Sequence, residues 1–113
     1  MTIPHWEHFE HKADIGVRGI GNTLAEAFEQ AALAMSAIDT DLSYIDPKKA
    51  IEVACEDPDQ ELLLVDWLNA LNFETATRKM LFSRFEVNIE DGQLSARALC
   101  EQIYIVRRQH AVQ

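Results

Sequence analysis

The sequence predicts one α+β domain in which two helices pack on one face of a mixed or antiparallel sheet. Two observations predict the helices: a capped amphipathic segment that begins at Thr23 and a leucine-rich segment that begins at Asp57. A third predicts the sheet, because short runs of alternating apolar and polar residues precede, separate and follow these segments. The chain has 113 residues, which suits a single domain, so we expect residues 1–113 to form one unit.

The first half of the chain predicts two strands and a helix. Residues 6–10 and 15–20 form short strand-like runs. Thr23 to Glu26 reads as a capping box, in which Thr23 accepts a hydrogen bond from the Glu26 amide and Glu26 accepts one from the Thr23 amide. Apolar residues then recur at helical spacing, and the alanines among them indicate a close approach to a sheet: Leu24, Phe28, Ala31, Ala32, Met35 and Ile38.

The second half predicts a strand, a helix and a hairpin. Ile51, Val53 and Cys55 alternate with polar residues, and Asp57 then serves as N-cap with Pro58 at the first helical position. This helix is apolar on nearly every side, which favours a central place in the core. Residues 81–89 and 94–100 alternate around an Asp91-Gly92 type I′ turn, and residues 103–106 can start another strand.

Composition and charge restrict the classes of partner. The net charge of −9 disfavours direct binding of nucleic acid and favours a basic protein or a divalent cation. No apolar run approaches the roughly 20 residues of a membrane span, and the N-terminus lacks the pattern of a signal peptide. We therefore expect a cytoplasmic protein without membrane contact. Several acidic residues read as loop or cap residues on a solvated surface: Asp39, Asp41, Asp46, Asp57 and Asp59.

Few residues carry candidate chemistry. Asp14, in a break between strands and close to Gly16, can bind a hard cation or cap an Asx-type turn, and spacing alone favours the turn. His5, His8 and His11 do not share one face of a strand, which disfavours a three-histidine metal site.

Glycines and cysteines favour structural roles. Gly19 and Gly21 read as turn glycines, because the third glycine of a dinucleotide fingerprint is missing. Cys55 and Cys100 have no metal-ligand spacing, and their apolar strand positions favour buried free thiols.

Three blocks of sequence resemble the archease family: residues 11–16 (HKADIG), residues 23–28 with Ala31 and Ala32, and residues 61–69 (ELLLVDWLN). The resemblance implies an archease-like fold and an accessory protein, not an enzyme. Its partner would be the tRNA-splicing RNA ligase. The protein would promote guanylation of the ligase and multiple turnover in tRNA splicing and RNA repair.

The resemblance also implies a divalent-cation site at Asp14, with calcium as the expected ion. His11 would support that site. Archeases continue after the segment that matches residues 107–110 into further strands, one of which carries a second metal-binding aspartate. We therefore expect this chain to be truncated at its C-terminus and its sheet to have an open edge, through which a second copy could pair.

Two other functions remain open from the residues. One is a small metal-dependent enzyme that uses His11 and Asp14 as ligands or as an acid/base pair. The other is a chaperone-like binding module that captures peptides at its open sheet edge.

Overall fold

The computed structural model describes residues 2–11 and 14–102, with His11, Asp14, Ile15 and Asp39 described at backbone level only. Two helices and five antiparallel strands make up this part, which confirms the α+β class. The strands are β1 (His5–His11), β2 (Asp14–Ile20), β3 (Lys49–Glu56), β4 (Met80–Glu90) and β5 (Gln93–Gln102). The helices are α1 (Leu24–Asp39) and α2 (Gln60–Arg78), and a 3₁₀ turn spans Leu42–Tyr44. The further strand predicted at residues 103–106 lies outside the described residues.

The five strands form two sheets instead of the single sheet that the sequence predicts. One sheet is the β1–β2 hairpin, and the other has the order β3-β5-β4. Helix α1 contacts both: the backbone at Ala27 and Ala31 lies against β2, while the Glu29 carboxylate accepts a hydrogen bond from the Val87 amide of β4 at 2.7 Å. The Val87 amide points away from β5, the only strand paired with β4 among the described residues. A side chain of α1 therefore accepts the hydrogen bond that a further strand would otherwise accept.

The start of α1 follows the predicted capping chemistry with one difference. Thr23 Oγ1 accepts from the Glu26 amide at 3.1 Å, as predicted. The Glu26 carboxylate accepts from the Asn22 amide at 2.7 Å, one residue earlier than the predicted partner. Ala31, Ala32 and Ala34 are buried, so the alanines do lie against other elements, as their small size predicts.

Helix α2 begins two residues later than predicted. The N-cap is Asp59, whose carboxylate accepts from the amides of Glu61 at 2.8 Å and Leu62 at 3.3 Å. Asp57 and Pro58 precede the helix. The Asp57 carboxylate accepts a hydrogen bond from the Asp59 amide at 2.9 Å, and the Asp57 amide donates one to the Gly92 carbonyl. The predicted N-cap at Asp57 is therefore wrong.

The prediction that α2 is central is also wrong, because only one face of the helix is buried. Leu63, Trp67 and Leu71 face the core, whereas Leu62, Val65 and Phe73 are exposed. Trp67 is fully buried, and its indole Nε1 donates to the Phe28 carbonyl of α1 at 3.0 Å. Buried side chains of β3, β4 and β5 complete this core: Val53, Met80, Phe82, Phe85, Val87, Leu94, Ala96, Ala98 and Cys100.

The β4–β5 hairpin is as the sequence predicts. Asp91 and Gly92 have φ values of 51° and 76°, as a type I′ turn requires. Strand β5 alternates buried Leu94, Ala96, Ala98 and Cys100 with more exposed neighbours. Local turn chemistry and period-2 patterning thus determine this hairpin.

Gly19 is a strand residue, not the predicted turn residue. It lies in β2, where a Cβ would stand closer than 3.0 Å to the Ala27 carbonyl oxygen and the Ala31 nitrogen. Both atoms belong to the backbone of α1, which cannot move aside as a flexible side chain can. Gly19 therefore allows α1 to contact the hairpin closely.

We predict that Gly19→Ala destabilises the fold by about 1–3 kcal/mol, because the added methyl group overpacks the contact between β2 and α1. Urea denaturation followed by circular dichroism measures the change. Ser95→Ala, at an exposed position of β5, is the control and should change the free energy of unfolding by less than about 0.5 kcal/mol. Equal midpoints for the two variants would contradict the close contact.

Candidate functional site

Asp14 is the first residue of β2, at the turn end of the β1–β2 hairpin. In the antiparallel register its backbone lies opposite His11, the last residue of β1. The hairpin therefore places the two predicted site residues across from each other, at the level of the backbone. An Asx turn and a cation ligand both remain compatible with this position.

The other two histidines of the HxxHxxH pattern have separate partners. His5 Nδ1 lies 2.8 Å from the Ile3 carbonyl, and His5 Nε2 lies 3.5 Å from the Glu7 carboxylate. His8 Nε2 lies 2.6 Å from the Ala34 carbonyl of α1. Because a carbonyl oxygen only accepts, Nδ1 of His5 and Nε2 of His8 carry the protons in these bonds. Both rings are therefore held by backbone carbonyls.

Among the side chains that the structure describes, no three from His, Cys, Asp and Glu lie close enough to hold one metal ion. A hard cation such as Ca²⁺ takes six to eight oxygen ligands in proteins. A single carboxylate can supply only one or two of these oxygens, so Asp14 as a cation ligand stays a prediction.

The surface of the hairpin is ordered by contacts that the sequence did not predict. The Phe9 ring lies over Gly16, since a Cβ there would stand closer than 3.0 Å to three atoms of the ring. The Arg18 guanidinium stacks on the same ring at 4.8 Å and donates to Glu7 at 3.0 Å. Gly16 is a strand residue, as the run of residues 15–20 predicts, and its lack of a side chain accommodates the Phe9 ring.

Three of the five acidic residues predicted for loops or caps serve the local backbone, whereas Asp39 is the last residue of α1. Asp41 caps the 3₁₀ turn by accepting from the Ser43 hydroxyl at 2.7 Å and from the Ser43 amide at 3.0 Å. The hydrogen bond from the Ser43 hydroxyl and, to a smaller extent, the one from the Ser43 amide hold the pKa of the Asp41 carboxyl below its usual value. Asp57 and Asp59 serve the entry to α2 in the same manner.

Comparison with known proteins identifies the family. The family model described as "Archease protein family" matches residues 6–113, which is nearly the whole chain. The chain belongs to the archease family. "Protein archease" of Sulfurisphaera tokodaii is 44% identical over 80% of this chain and 65% of its own length. The Pyrococcus furiosus protein of the same name is 42% identical over 78% of this chain and 63% of its own length.

A solved structure confirms the archease fold. The solution structure of protein 1598 of Methanobacterium thermoautotrophicum matches with a TM-score of 0.77 and 38% identity. The match covers 87% of this chain and 73% of that one. The chain spans less than two thirds of the length of the first curated archeases that it matches.

The archease-like blocks occupy two separate places in the fold. Residues 11–16 span the end of the hairpin that carries Asp14, and residues 61–69 form the first half of α2. The predicted cation residue and the leucine-rich helix thus lie in different elements, and the helix supplies Leu63 and Trp67 to the core. No helix within the described residues is long and apolar enough to cross a membrane.

The two cysteines of this archease are free thiols, as predicted, but only Cys100 is fully buried. Cys55 is half-buried. Burial raises the pKa of both thiols, and the nearby Asp66 carboxylate raises that of Cys55 further. Cys100 Sγ contacts Met80 Sδ at 3.8 Å in the core. Neither thiol has the lowered pKa that is typical of a nucleophile.

We predict slow alkylation of both cysteines by iodoacetamide at pH 8, because a raised pKa lowers the fraction of reactive thiolate below that of a free cysteine. Cys55 should react before Cys100, since its side chain is partly accessible. Mass spectrometry measures the rate of alkylation, and the Cys55→Ser variant gives the rate of Cys100 alone. Alkylation of Cys100 as fast as that of free cysteine would contradict its burial.

Proposed function

We propose that this chain is an accessory protein of the tRNA-splicing RNA ligase, which promotes guanylation of the ligase and its multiple turnover in tRNA splicing and RNA repair. The observation that carries the proposal is the archease family match over residues 6–113. The position of Asp14 at the end of a hairpin supports it, because a hairpin end can reach a partner's site.

The charge of the chain supports a protein partner over direct contact with RNA. Nineteen acidic residues against ten basic ones give a net charge of −9, which repels a phosphate backbone. Complementary charge on a basic partner speeds association and orients the two proteins. We therefore propose that the ligase, not this chain, holds the RNA.

A divalent cation at Asp14, calcium by preference, belongs to this proposal. Asp14 would supply one carboxylate, and the remaining oxygen ligands would come from outside the described side chains. A hard cation supplies affinity for phosphate or carboxylate oxygens when it is bound. The proposed role of Asp14 does not require a chemical step on that ion.

The proposed role is noncatalytic. The thiols of Cys55 and Cys100 have raised pKa values, and the rings of His5 and His8 form hydrogen bonds with backbone carbonyls. Neither set provides a nucleophile with an adjacent base. The predicted cytoplasmic location stays a prediction.

We predict that Asp14→Ala slows ligase guanylation at least about tenfold relative to the unchanged chain, equal to about 1.4 kcal/mol in activation free energy. The reason is the loss of the carboxylate from the end of the hairpin. The assay follows covalent GMP on purified ligase, with and without added Ca²⁺.

Asp46→Ala, which removes an exposed carboxylate after α1, is the matched control and should leave the stimulation unchanged. Circular dichroism should show both variants folded. Stimulation by Asp14→Ala equal to that of the unchanged chain would refute the role of Asp14. Ligation of RNA by this protein alone would refute the accessory role.

A further inference from the structure

The solvent side of α2 carries large apolar side chains that nothing in the described fold covers. Leu62, Val65 and Phe73 are 52%, 50% and 61% exposed. They share one side of the helix with Asn69, and we call these four residues the outer face of α2. On the opposite side Leu63, Trp67 and Leu71 fill the core. The outer face is therefore apolar without contributing to the core.

The spacing of the outer face suits contact with another helix. Leu62, Val65 and Asn69 follow one another at three and four residues, which is the repeat of a helix-packing seam. Leu62 and Phe73 are eleven residues apart, so the face extends over about 16 Å at 1.5 Å per residue. Asn69 lies between the apolar side chains, where a polar residue sets the register of a paired helix.

A groove beside this face adds apolar surface for an anchoring side chain. It has a volume of about 390 Å³ and lies between α2 on one side and α1 with β2 on the other. Leu64 and Leu68 line its α2 wall, and Leu24 and Ala27 line its α1 wall. A partner helix on the outer face would have this groove along its flank.

The charges around the face select the chemistry of the partner. Glu61 and Asp66 flank Leu62 and Val65, and neither forms an ion pair with any residue that the structure describes. Arg78, the basic residue of α2, pairs with Glu74 at 3.1 Å. Arg18, on the far wall of the groove, pairs with Glu7 at 3.0 Å. The carboxylates beside the face thus favour a cationic partner over a second copy of this acidic chain.

We propose that the outer face of α2 docks a basic amphipathic helix of a partner protein. The apolar side of that helix contacts Leu62, Val65 and Phe73, and its lysines or arginines pair with Glu61 and Asp66. This surface does not include Asp14, so its occupation goes beyond the proposed function and does not depend on the identity of the partner.

The test uses three labelled synthetic peptides, each about three heptads long. The first has leucines at the a and d positions and lysines at e and g, the second replaces those lysines by glutamates, and the third is a scrambled form of the first. Fluorescence anisotropy with the full chain should show the first peptide binding at least about tenfold more tightly than the other two, a difference of about 1.4 kcal/mol.

Two double variants identify the surface. Glu61→Lys with Asp66→Lys should reverse the preference between the lysine and glutamate peptides. Leu62→Ser with Val65→Ser should weaken binding of the lysine peptide about tenfold or more, with little change in Tm because both side chains are half-exposed. Tyr44→Ser, at an 82% exposed position outside α2, is the control and should bind as the unchanged chain does.

Four results would overturn the proposal. One is binding of the scrambled peptide as tightly as its amphipathic parent, which would indicate attraction to net charge alone. Another is an unchanged preference in the charge-reversed variant. A third is a dimer in sedimentation that the serine variant abolishes, because a second copy would then occupy the face. The last is a large fall in the Tm of the serine variant together with no binding of peptide by the unchanged chain. Another segment of this chain would then cover the face.

Discussion

The buried indole of Trp67 is the contact on which the rest of the described structure depends. Its Nε1 donates to the Phe28 carbonyl of α1, and its ring meets Phe85 of β4 edge to face at a centroid distance of 5.7 Å. One side chain therefore joins both helices to the three-stranded sheet. An indole in the core without this acceptor would leave a buried donor unsatisfied, at a cost of about 1–3 kcal/mol. Trp67 thus helps to hold α1 over the core.

The hairpin that carries Asp14 depends on this junction through α1. Among the described elements α1 makes the main contacts of β1 and β2 outside their own hairpin, through Gly19 and through the bond from His8 to Ala34. The candidate site therefore lies at the periphery on a two-stranded sheet, while the core lies beneath α2. The outer face of α2 belongs to a different element from Asp14, so the two surfaces can be altered independently.

Sequence reasoning succeeded where the determinants are local and failed where they are not. The Thr23 cap and the Asp91-Gly92 turn depend on a few adjacent residues, and both were predicted correctly. The N-cap of α2 was misplaced because the Asp57 amide donates to the Gly92 carbonyl, a partner 35 residues away in sequence (92 − 57). Gly19 was misread because the backbone that approaches it belongs to another element, and the division into two sheets depends equally on where α1 lies. The cation site at Asp14 stays a prediction, because spacing alone cannot tell which oxygens would complete a cation shell.

Hydrogen exchange on the Trp67→Phe variant tests the central claim most directly, that Trp67 positions α1 and through it the Asp14 hairpin. Phenylalanine retains a buried ring but cannot donate to the Phe28 carbonyl. The account predicts that amides of α1, β1 and β2 lose more protection than amides of β4 and β5, because the hairpin and helix open together as one unit. Equal loss of protection in all elements, or loss confined to α2, would contradict it.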